Sequence, residues 1–355
     1  MWLKLEQRQK PSLLMRYLSP VIAIGLMLVG GTLLFYFLGK NPLDGFKAFF
    51  ISPIQSQYGV SELFLKATPL MLCAVGISVG FRANVWNIGA EGQFLIGALA
   101  SGAVALGFPH SNSPFLLPGM VLAGALGGMA WAAIPAWLRT RFGANEVLTS
   151  LMLVYVAQFI VLWLVHGPWK DPCGHNLPET ELFQVNASLP IIVAGTRVNI
   201  ALIFAVIVLI IGWIFMNKSF MGYQMKVIGQ TESAGRYAGF NAKLVIWLGM
   251  LIGGGMAGIA GMSEVAGPIG QINEHISSGY GFTAVIVAFL GRLNPVGIFF
   301  SSLLLALLCM GGEQAQQFLN LPPSISSVFQ GMLLFFLLTS DVFIEFRPRL
   351  TWWTK

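Results

Sequence analysis

The chain has 355 residues, of which 56% are hydrophobic and only 10% are charged. A soluble domain carries about 25% charged residues because its surface must face water. The 20 Lys and Arg residues and 14 Asp and Glu residues, with a net charge of +6, are too few to solvate a chain of this length. The composition argues against a soluble enzyme, a disordered protein and a nucleic-acid-binding protein. It predicts an all-α integral membrane protein.

Apolar runs long enough to cross a membrane recur along the whole chain. A helix needs about 20 apolar residues to cross the hydrocarbon core. The ten candidate spans are residues 18–38, 63–81, 88–108, 115–138, 147–165, 200–216, 244–262, 282–291, 296–311 and 325–344. The eighth run is too short to cross alone, so we expect a short or broken helix packed inside the protein. A long polar segment, residues 166–199, is expected to form a compact outer loop.

The distribution of Lys and Arg predicts how the spans are oriented, because basic residues are enriched in cytoplasmic loops. With ten crossings, 15 basic residues fall on the side of the N-terminus and five on the other side. We therefore expect residues 1–17 and 346–355 in the cytoplasm, flanking a transmembrane domain of residues 18–345. The longest cytoplasmic loop is then residues 217–243.

Glycines spaced four residues apart predict close packing between helices. Small residues at this spacing lie on one helix face and let the backbone of another helix approach. Four such pairs occur: Gly76 and Gly80, Gly124 and Gly128, Gly249 and Gly253, and Gly254 and Gly258. We therefore expect a compact bundle rather than loosely associated spans.

The sequence contains none of the common motifs of catalysis, nucleotide binding or metal binding. It has neither the G-x4-G-K-[ST] phosphate-binding loop nor the H-E-x-x-H zinc motif. Its three cysteines are far apart in sequence, and its four histidines are scattered without the spacing of ligands. We expect no metal, no cofactor and no catalytic residue in this chain.

The most informative stretch is the polar, glycine-broken turn between the second and third spans, residues 80–93. Its polar side chains include Asn84, Asn87, Glu91 and Gln93. A charge near the membrane core is costly, so Glu91 is expected to face the bundle interior or water. Alternatively, Glu91 caps the first turn of the third span, where the helix dipole favours a carboxylate. The two interpretations are compatible.

A second polar intrusion, residues 263–275, lies between the seventh and eighth spans. Its Gly and Pro residues forbid a long regular helix. Irregular backbone at membrane depth is tolerated only where it is buried or lines a cavity. We favour an element at the outer mouth of the protein over an ordinary outer loop.

The third unusual stretch, residues 221–241, lies in the longest cytoplasmic loop. Residues 233–237 are predicted to form a short amphipathic helix between glycines. The loop also exposes Met, Val, Ile, Tyr and Phe side chains to the cytoplasm. An exposed apolar surface of this kind indicates that another protein covers it.

These three stretches together resemble the permease subunits of ATP-binding-cassette (ABC) importers, in the superfamily of branched-chain amino acid and simple-sugar permeases. The run Phe81-Arg-Ala-Asn-Val-Trp-Asn-Ile-Gly-Ala-Glu-Gly-Gln93 is similar to the superfamily signature F-R-A-G-x-x-N-I-G-x-E-G-Q, and Gly222 to Asn241 is similar to its coupling loop. The match continues in order through residues 256–261, 279–282 and 290–295. It covers most of the chain and is most similar to the nucleoside-type branch.

The resemblance implies a division of labour among several subunits in the cell (inner) membrane. Two permeases, identical or different, form the pathway for a small polar solute, and a cytoplasmic ATPase binds their coupling loops. A soluble binding protein delivers the solute from outside. The resemblance also implies two inverted pseudo-repeats, formed by spans two to five and seven to ten. No nucleic acid is among the expected partners.

Two sets of site residues are predicted on this basis. The translocation pathway is expected to be lined or braced by Asn84, Asn87, Glu91, Gln93, Gln271 and Asn294. The ATPase is expected to bind at Gly222, Gly229, Ala234, Arg236, Tyr237, Ala238 and Gly239. Within the second set, the two glycines at 229 and 239 are expected to delimit a short helix. Its docking face would be formed by residues 234, 237 and 238, with residue 236 at the rim.

Two alternatives remain open at this point. A pentose-type importer of simple sugars shares the same superfamily features, so the substrate is not fixed by them. An ion-coupled secondary transporter also uses broken helices and polar groups at the membrane midplane. Such a pump usually carries paired ionisable groups within its spans, and the apolar runs of this chain contain almost no charges.

Overall fold

The computed structural model describes residues 2–8, 12–109, 113–174, 177–322 and 324–351. Helices dominate these residues, and a short strand lies at each end, β1 (Trp2–Gln7) and β2 (Phe346–Thr351). The helices are α1 (Leu13–Phe37), α2 (Pro42–Phe46), α3 (Gln57–Arg82), α4 (Ala90–Gly107), α5 (Leu116–Phe142), α6 (Glu146–His166), α7 (Ala201–Lys218), α8 (Phe220–Gln230), α9 (Glu232–Tyr237), α10 (Ala242–Glu264), α11 (Tyr280–Leu290), α12 (Pro295–Leu319) and α13 (Ile325–Glu345). One π-helical turn, Val265–Ile269, extends α10.

Nine helices among the described residues are long and apolar enough to cross a membrane, namely α1, α3, α4, α5, α6, α7, α10, α12 and α13. The chain is therefore a polytopic membrane protein, as predicted. The eighth predicted span corresponds to α11, which has only 11 residues. The second span begins at Gln57, six residues earlier than expected, so Glu62 lies inside a helix rather than in a loop.

The chain divides into two compact units, and the first consists of Met1–Ser56 and Leu307–Lys355. In this unit α1 packs along α13, and Ser19 Oγ donates a 2.6 Å hydrogen bond to Asp341 Oδ1. The strands β1 and β2 form an antiparallel pair that the sequence did not predict. This pairing joins Trp2–Gln7 to Phe346–Thr351.

The second unit, Gln57–Ala306, is built around α10, which packs against α3, α4 and α5. The glycines of α10 allow this close approach. A Cβ atom on Gly258 would overlap the backbone of Gly124 and Gly128 in α5, and Gly76 in α3 lies against Gly253. All four predicted glycine pairs thus meet at α10. The compact packing expected from their spacing is confirmed.

Residues 270–290 run alongside α4 and α3 as one discontinuous segment. Ile272 packs against Gly102 near the end of α4, and Gly281 lies against Glu91 at its beginning. These two positions of α4 are about 16 Å apart at 1.5 Å per residue. The helix α11 continues for about 16 Å more and brings Phe289 to Phe81 near the end of α3, with ring centroids 5.3 Å apart. Together the two parts match the roughly 30 Å thickness of the hydrocarbon core.

The outer segment predicted at residues 166–199 packs on the residues that follow α10. It contains one short 3-10 turn, Val185–Ala187. Its backbone amides at Thr180 and Phe183 donate to the carbonyls of Ile272 and Gly270, at 2.9 and 2.7 Å. The loop and the discontinuous segment therefore satisfy each other's backbone groups. The predicted inverted repeat and the predicted orientation with both termini in the cytoplasm stay predictions.

Substituting Gly128 tests the role of the α10 glycines. A Cβ atom at this position would overlap the carbonyl of Gly254, so we expect Gly128→Ala to lower the free energy of unfolding by about 1–3 kcal/mol. The matched control is Gly119→Ala in the same helix, where the nearest atom is Val104 Cγ1 at 3.9 Å. Thermal unfolding in detergent measures both. Equal midpoints for the two variants would contradict the packing described here.

Candidate functional site

Asn87 and Gln93 form a sealed amide pair beneath the turn that joins α3 to α4. Asn87 Nδ2 donates to Gln93 Oε1 at 2.8 Å, and Gln93 Nε2 donates back to Asn87 Oδ1 at 3.0 Å. The same Oδ1 accepts from the backbone amide of Gly89 at 3.1 Å. Both side chains are only 1% exposed. Because their polar atoms satisfy one another, this pair braces the turn rather than offering free groups to a solute.

Glu91 reaches from α4 to the beginning of α11. Its Oε2 accepts a 2.6 Å hydrogen bond from the backbone amide of Gly281, and Ser277 and the backbone of Phe282 bond the same carboxylate. The side chain is 3% exposed. Glu91 lies in the first turn of α4, as the capping interpretation expects, and its hydrogen bonds go to the start of α11. It supplies the acceptor at the N-terminus of a helix 190 residues later in sequence.

The residues at the start of α11 explain why it needs an acceptor from elsewhere. Its N-cap residue is Gly279, which has a left-handed φ of 89° and no side chain to bond the free amides. Ser277 Oγ accepts from the amides of Gly279 and Tyr280, both at 3.1 Å. A Cβ atom on Gly281 would overlap the backbone of Glu91. The Gly-Tyr-Gly-Phe sequence therefore permits the contact between α4 and α11 that the carboxylate completes.

Asn84 and Asn294 lie in exposed turns rather than beside Glu91. Asn84 has a left-handed φ of 56°, and its Oδ1 accepts from Trp86 Nε1 at 2.8 Å. The indole of Trp86 packs on Phe81 and Phe289, with ring centroids 4.9 and 5.8 Å apart. Asn294 Oδ1 accepts from the amide of Val296 in the first turn of α12, at 3.2 Å. Both asparagines thus stabilise turns at the end of the segment farthest from the outer loop.

Gln271 lies at the opposite end of the discontinuous segment. Its Nε2 donates a 2.6 Å hydrogen bond to Glu179 Oε2, which belongs to the outer segment 166–199. The six predicted pathway residues are therefore spread along residues 80–93 and 270–294. Asn87, Glu91 and Gln93 are brought together at the junction of α4 and α11, and the other three are not.

A charged cluster that the sequence did not single out lies near the beginning of α3. Arg197 binds Glu62 through two bonds, from Nε to Oε1 at 2.9 Å and from Nη2 to Oε2 at 2.6 Å. This bond raises the pKa of Arg197 above its usual range. Lys66 interacts electrostatically with Glu264 at the end of α10, and the Tyr280 side chain hydrogen-bonds Glu264. The available signal was the pair of charges four residues apart, at 62 and 66, in an otherwise apolar run.

The predicted cytoplasmic helix exists as α9, Glu232–Tyr237. Gly239 follows it with a left-handed φ of 78°, as a helix C-terminus often requires. Gly229 does not delimit α9. It lies within α8 and packs against the backbone of Arg82 at the end of α3, where a Cβ atom would overlap the Arg82 carbonyl.

The face of α9 predicted for docking is open. Ala234, Tyr237 and Ala238 are exposed, Tyr237 by 97%. Arg236 pairs with Glu232 one turn earlier at 2.7 Å, at the edge of this face. The opposite face carries Gly235, which is buried against Ile228 of α8. The exposed set is called the α9 face below, and it consists of residues 234, 237 and 238.

Gly222 connects α8 to the transmembrane part of the unit. Its amide donates to Ser219 Oγ at 2.9 Å in the first turn of α8. A Cβ atom on Gly222 would overlap the carbonyl of Phe215 at the end of α7. The glycine therefore allows the sharp approach between α7 and α8.

Removing the Glu91 carboxylate tests its bond to α11. We expect Glu91→Ala to speed amide hydrogen exchange at the start of α11, because the amides of Gly281 and Phe282 lose their acceptor. The variant Glu91→Gln keeps one side-chain oxygen. Its exchange rate at the start of α11 should therefore lie between those of the unaltered protein and Glu91→Ala. Hydrogen–deuterium exchange read by mass spectrometry measures this.

The control for that experiment is Glu146→Ala, which removes a carboxylate from the first turn of α6. Glu146 bonds Arg139 and accepts from the backbone amide of Trp86, so its hydrogen bonds lie outside α11. Exchange at the start of α11 should then match the unaltered protein. Unchanged exchange in Glu91→Ala as well would contradict the assigned bond.

Comparison with known proteins places the chain in a transport family. The family model described as branched-chain amino acid transport system / permease component matches residues 59–338. The glucose ABC transporter permease protein TsgB13 of Haloferax volcanii is 33% identical, over 97% of this chain and 93% of that protein. The nucleoside ABC transporter permease protein NupB of Lactococcus lactis is 30% identical, over 94% of each chain.

A third relative, the guanosine ABC transporter permease protein NupP of Bacillus subtilis, is 29% identical over 91% of this chain and 93% of that protein. The family match spans most of the nine candidate membrane helices. The relatives are matched along nearly their whole length, so the likeness is not confined to one motif. The chain belongs to the family of permease components of branched-chain amino acid transport systems.

Proposed function

We propose that this permease imports a nucleoside across the cell membrane, using ATP that a separate cytoplasmic subunit hydrolyses. Two relatives matched along almost their full length are named as nucleoside and guanosine permeases. The observation that carries the proposal is the discontinuous segment 270–290, held at its middle by the buried carboxylate of Glu91. Polar groups within a membrane bundle usually mark a substrate pathway.

A simple sugar is the second candidate substrate. The relative from Haloferax volcanii is named as a glucose permease and is 33% identical to this chain. Nucleosides and sugars share a hydroxyl-bearing ring and carry no net charge. Both substrates therefore suit the same kind of pathway, and transport measurements have to separate them.

The α9 face is proposed as the surface that the ATPase binds. The sequence has no phosphate-binding loop, so the work of opening the pathway has to come from another chain. A partner can shift a conformational equilibrium only by its differential affinity for the states. A small exposed face with Tyr237 at its centre suits such a partner, since aromatic residues are enriched at interface hot spots.

A chain of contacts joins the α9 face to Glu91. Gly235 of α9 is buried on Ile228 of α8, and Gly229 of α8 packs on Arg82 at the end of α3. Arg82 in turn donates to Asn217 Oδ1 at 3.1 Å at the end of α7. From Arg82 the chain continues through the turn 83–89 to the carboxylate that caps α11. We propose that movement of α9 is transmitted to the pathway through these contacts.

The same proposal defines the remaining subunits. A second permease, identical or different, completes the pathway, and an extracytoplasmic binding protein delivers the substrate. Residues 217–243 face the cytoplasmic ATPase, both termini lie in the cytoplasm, and residues 166–199 face the binding protein. An ion-coupled carrier would need no ATPase, so co-purification of an ATPase separates the two classes.

Uptake by the reconstituted complex tests the function. With ATP inside proteoliposomes, we expect uptake of labelled uridine and little uptake of glucose. The variant Ala234→Glu places an unpaired charge on the α9 face, and burying such a charge at an interface costs several kcal/mol. We expect ATPase co-purification and uptake to fall by roughly tenfold or more.

The matched control is Ala144→Glu, the same change in the connection between α5 and α6. It should leave uptake and co-purification unchanged. Uptake of glucose without uridine would favour the sugar importer. Uptake driven by an ion gradient without an ATPase, or full co-purification with Ala234→Glu, would contradict the proposed coupling.

A further inference from the structure

A polar cavity lies beside the N-terminus of α11. It has a volume of about 190 Å³ and is lined by groups from α3, the end of α10, the start of α11 and Arg197, four positions before α7. Its polar lining residues are Glu62, Lys66, Arg197, Glu264 and Tyr280. Pockets that enclose drug-sized ligands measure about 300–1,000 Å³. This cavity therefore suits a single ring of a ligand rather than a whole nucleoside.

The position of the cavity follows from the shortness of α11. Tyr280 is the first residue of α11, and Gly281 is the residue bonded by Glu91. The helix begins part of the way across the bundle, so space remains on the outer side of its N-terminus. Glu62 and Lys66 lie in the second and third turns of α3, and Glu264 is the last residue of α10. The cavity thus lies between the outer ends of two spans and the capped end of the half-length helix.

The charges around the cavity balance. Two carboxylates, Glu62 and Glu264, face two cations, Lys66 and Arg197. Glu62 already holds Arg197 through two bonds at 2.9 and 2.6 Å, and Lys66 acts on Glu264. A charged ligand would have to break one of these pairs, which costs free energy when the charges are shielded from water. The geometry therefore favours an uncharged ligand.

The lining groups match the hydrogen-bonding capacity of ring hydroxyls. A carboxyl group has more than one acceptor site in either protonation state, so Glu264 can accept from a ligand in addition to its bond with Tyr280. Hydroxyl groups both donate and accept, so vicinal hydroxyls can donate to Glu264 and to the Tyr280 oxygen and accept from Lys66. An amino acid zwitterion, by contrast, needs an unpaired cation and an unpaired anion. The pairing within the cluster disfavours it.

We propose that this cavity is a binding subsite for the hydroxyl-bearing sugar ring of the transported solute. The proposal deepens the proposed function and rests on it only in requiring a solute with such a ring. Ribose in a nucleoside and a free simple sugar both meet that requirement. Glu264 and Tyr280 bind the hydroxyls, and the pair of Glu62 and Arg197 closes one wall.

The test compares uridine with 2′,3′-dideoxyuridine, which lacks both ring hydroxyls. Uptake by the complete reconstituted complex gives kcat/KM for each, and their ratio measures how strongly the hydroxyls are recognised. The binding protein is the same in every measurement, so its own preference cancels when variants are compared. We expect Glu264→Gln to reduce the ratio by roughly tenfold, as for a lost hydrogen bond to a charged group.

Two further variants keep the test decisive. Tyr280→Phe removes one hydroxyl from the cavity and should reduce the uridine-to-dideoxyuridine ratio severalfold. If Glu264→Gln fails to assemble, the test is made with Tyr280→Phe. The matched control is Glu181→Gln, an exposed carboxylate in the outer segment that does not line the cavity. The ratio for this control should equal that of the unaltered complex.

The outcomes test the subsite and the identity of the solute separately. If the complex transports glucose and not uridine, the nucleoside assignment fails, and the same variants are compared with glucose and a deoxyglucose. A lower glucose-to-deoxyglucose ratio in the cavity variants supports the subsite. An unchanged ratio in both cavity variants, for whichever solute is transported, would overturn the subsite. So would ATP-driven uptake of leucine in place of both.

Discussion

The close approach of α10 to three other helices is the constraint on which the larger unit depends. Lipid supplies no hydrophobic force between helices, so van der Waals contact between backbones has to hold them together. Gly254 and Gly258 provide this contact with α5, and Gly253 provides it with α3. Gly253 also faces the side chain of Asn87, where a Cβ atom would lie 2.9 Å from Nδ2. The glycines of α10 therefore also fix the turn that precedes Glu91.

Within this packing, Glu91 forms a polar junction between α4 and α11. A carboxylate in a membrane bundle has to find its partners within the protein, because lipid offers none. Here the partners are the free amides at the start of α11, which lacks a capping side chain of its own. The junction lets a helix of 11 residues begin inside the bundle. It also creates the space for the cavity lined by Glu264 and Tyr280.

The sequence predicted local features well and distant pairings poorly, for a physical reason. Span lengths, glycine spacing and the short helix α9 depend on residues close together in the chain, where hydrophobic periodicity and helix geometry apply. The partner of Glu91 lies 190 residues away, and the partner of Arg197 lies 135 residues away. No local pattern encodes such a distance. The motif alone marked Glu91 as unusual, and only the fold shows that it caps α11.

Residues 263–275 also show that the sequence predicts local structure better than distant contacts. Their Gly and Pro residues predicted an irregular segment, and the backbone is irregular from Gly270 to Gly279. The sequence predicted the short helix that follows this segment, but not the carboxylate of Glu91 that caps it. The pairing of β1 with β2 was also missed, since the paired residues Gln7 and Phe346 lie 339 positions apart and no local pattern names a strand's partner.

The most direct test of the account is the sidedness of three single cysteines, with the exposed Cys173 replaced by serine. Val185→Cys, Tyr237→Cys and Asn294→Cys all lie at exposed positions. If residues 270–290 complete a crossing, a membrane-impermeant thiol reagent added to intact cells should label position 185 and should reach 237 and 294 only after permeabilisation. Labelling of position 294 together with 185 in intact cells would show that the segment does not cross, and the account of Glu91 and α11 would be contradicted.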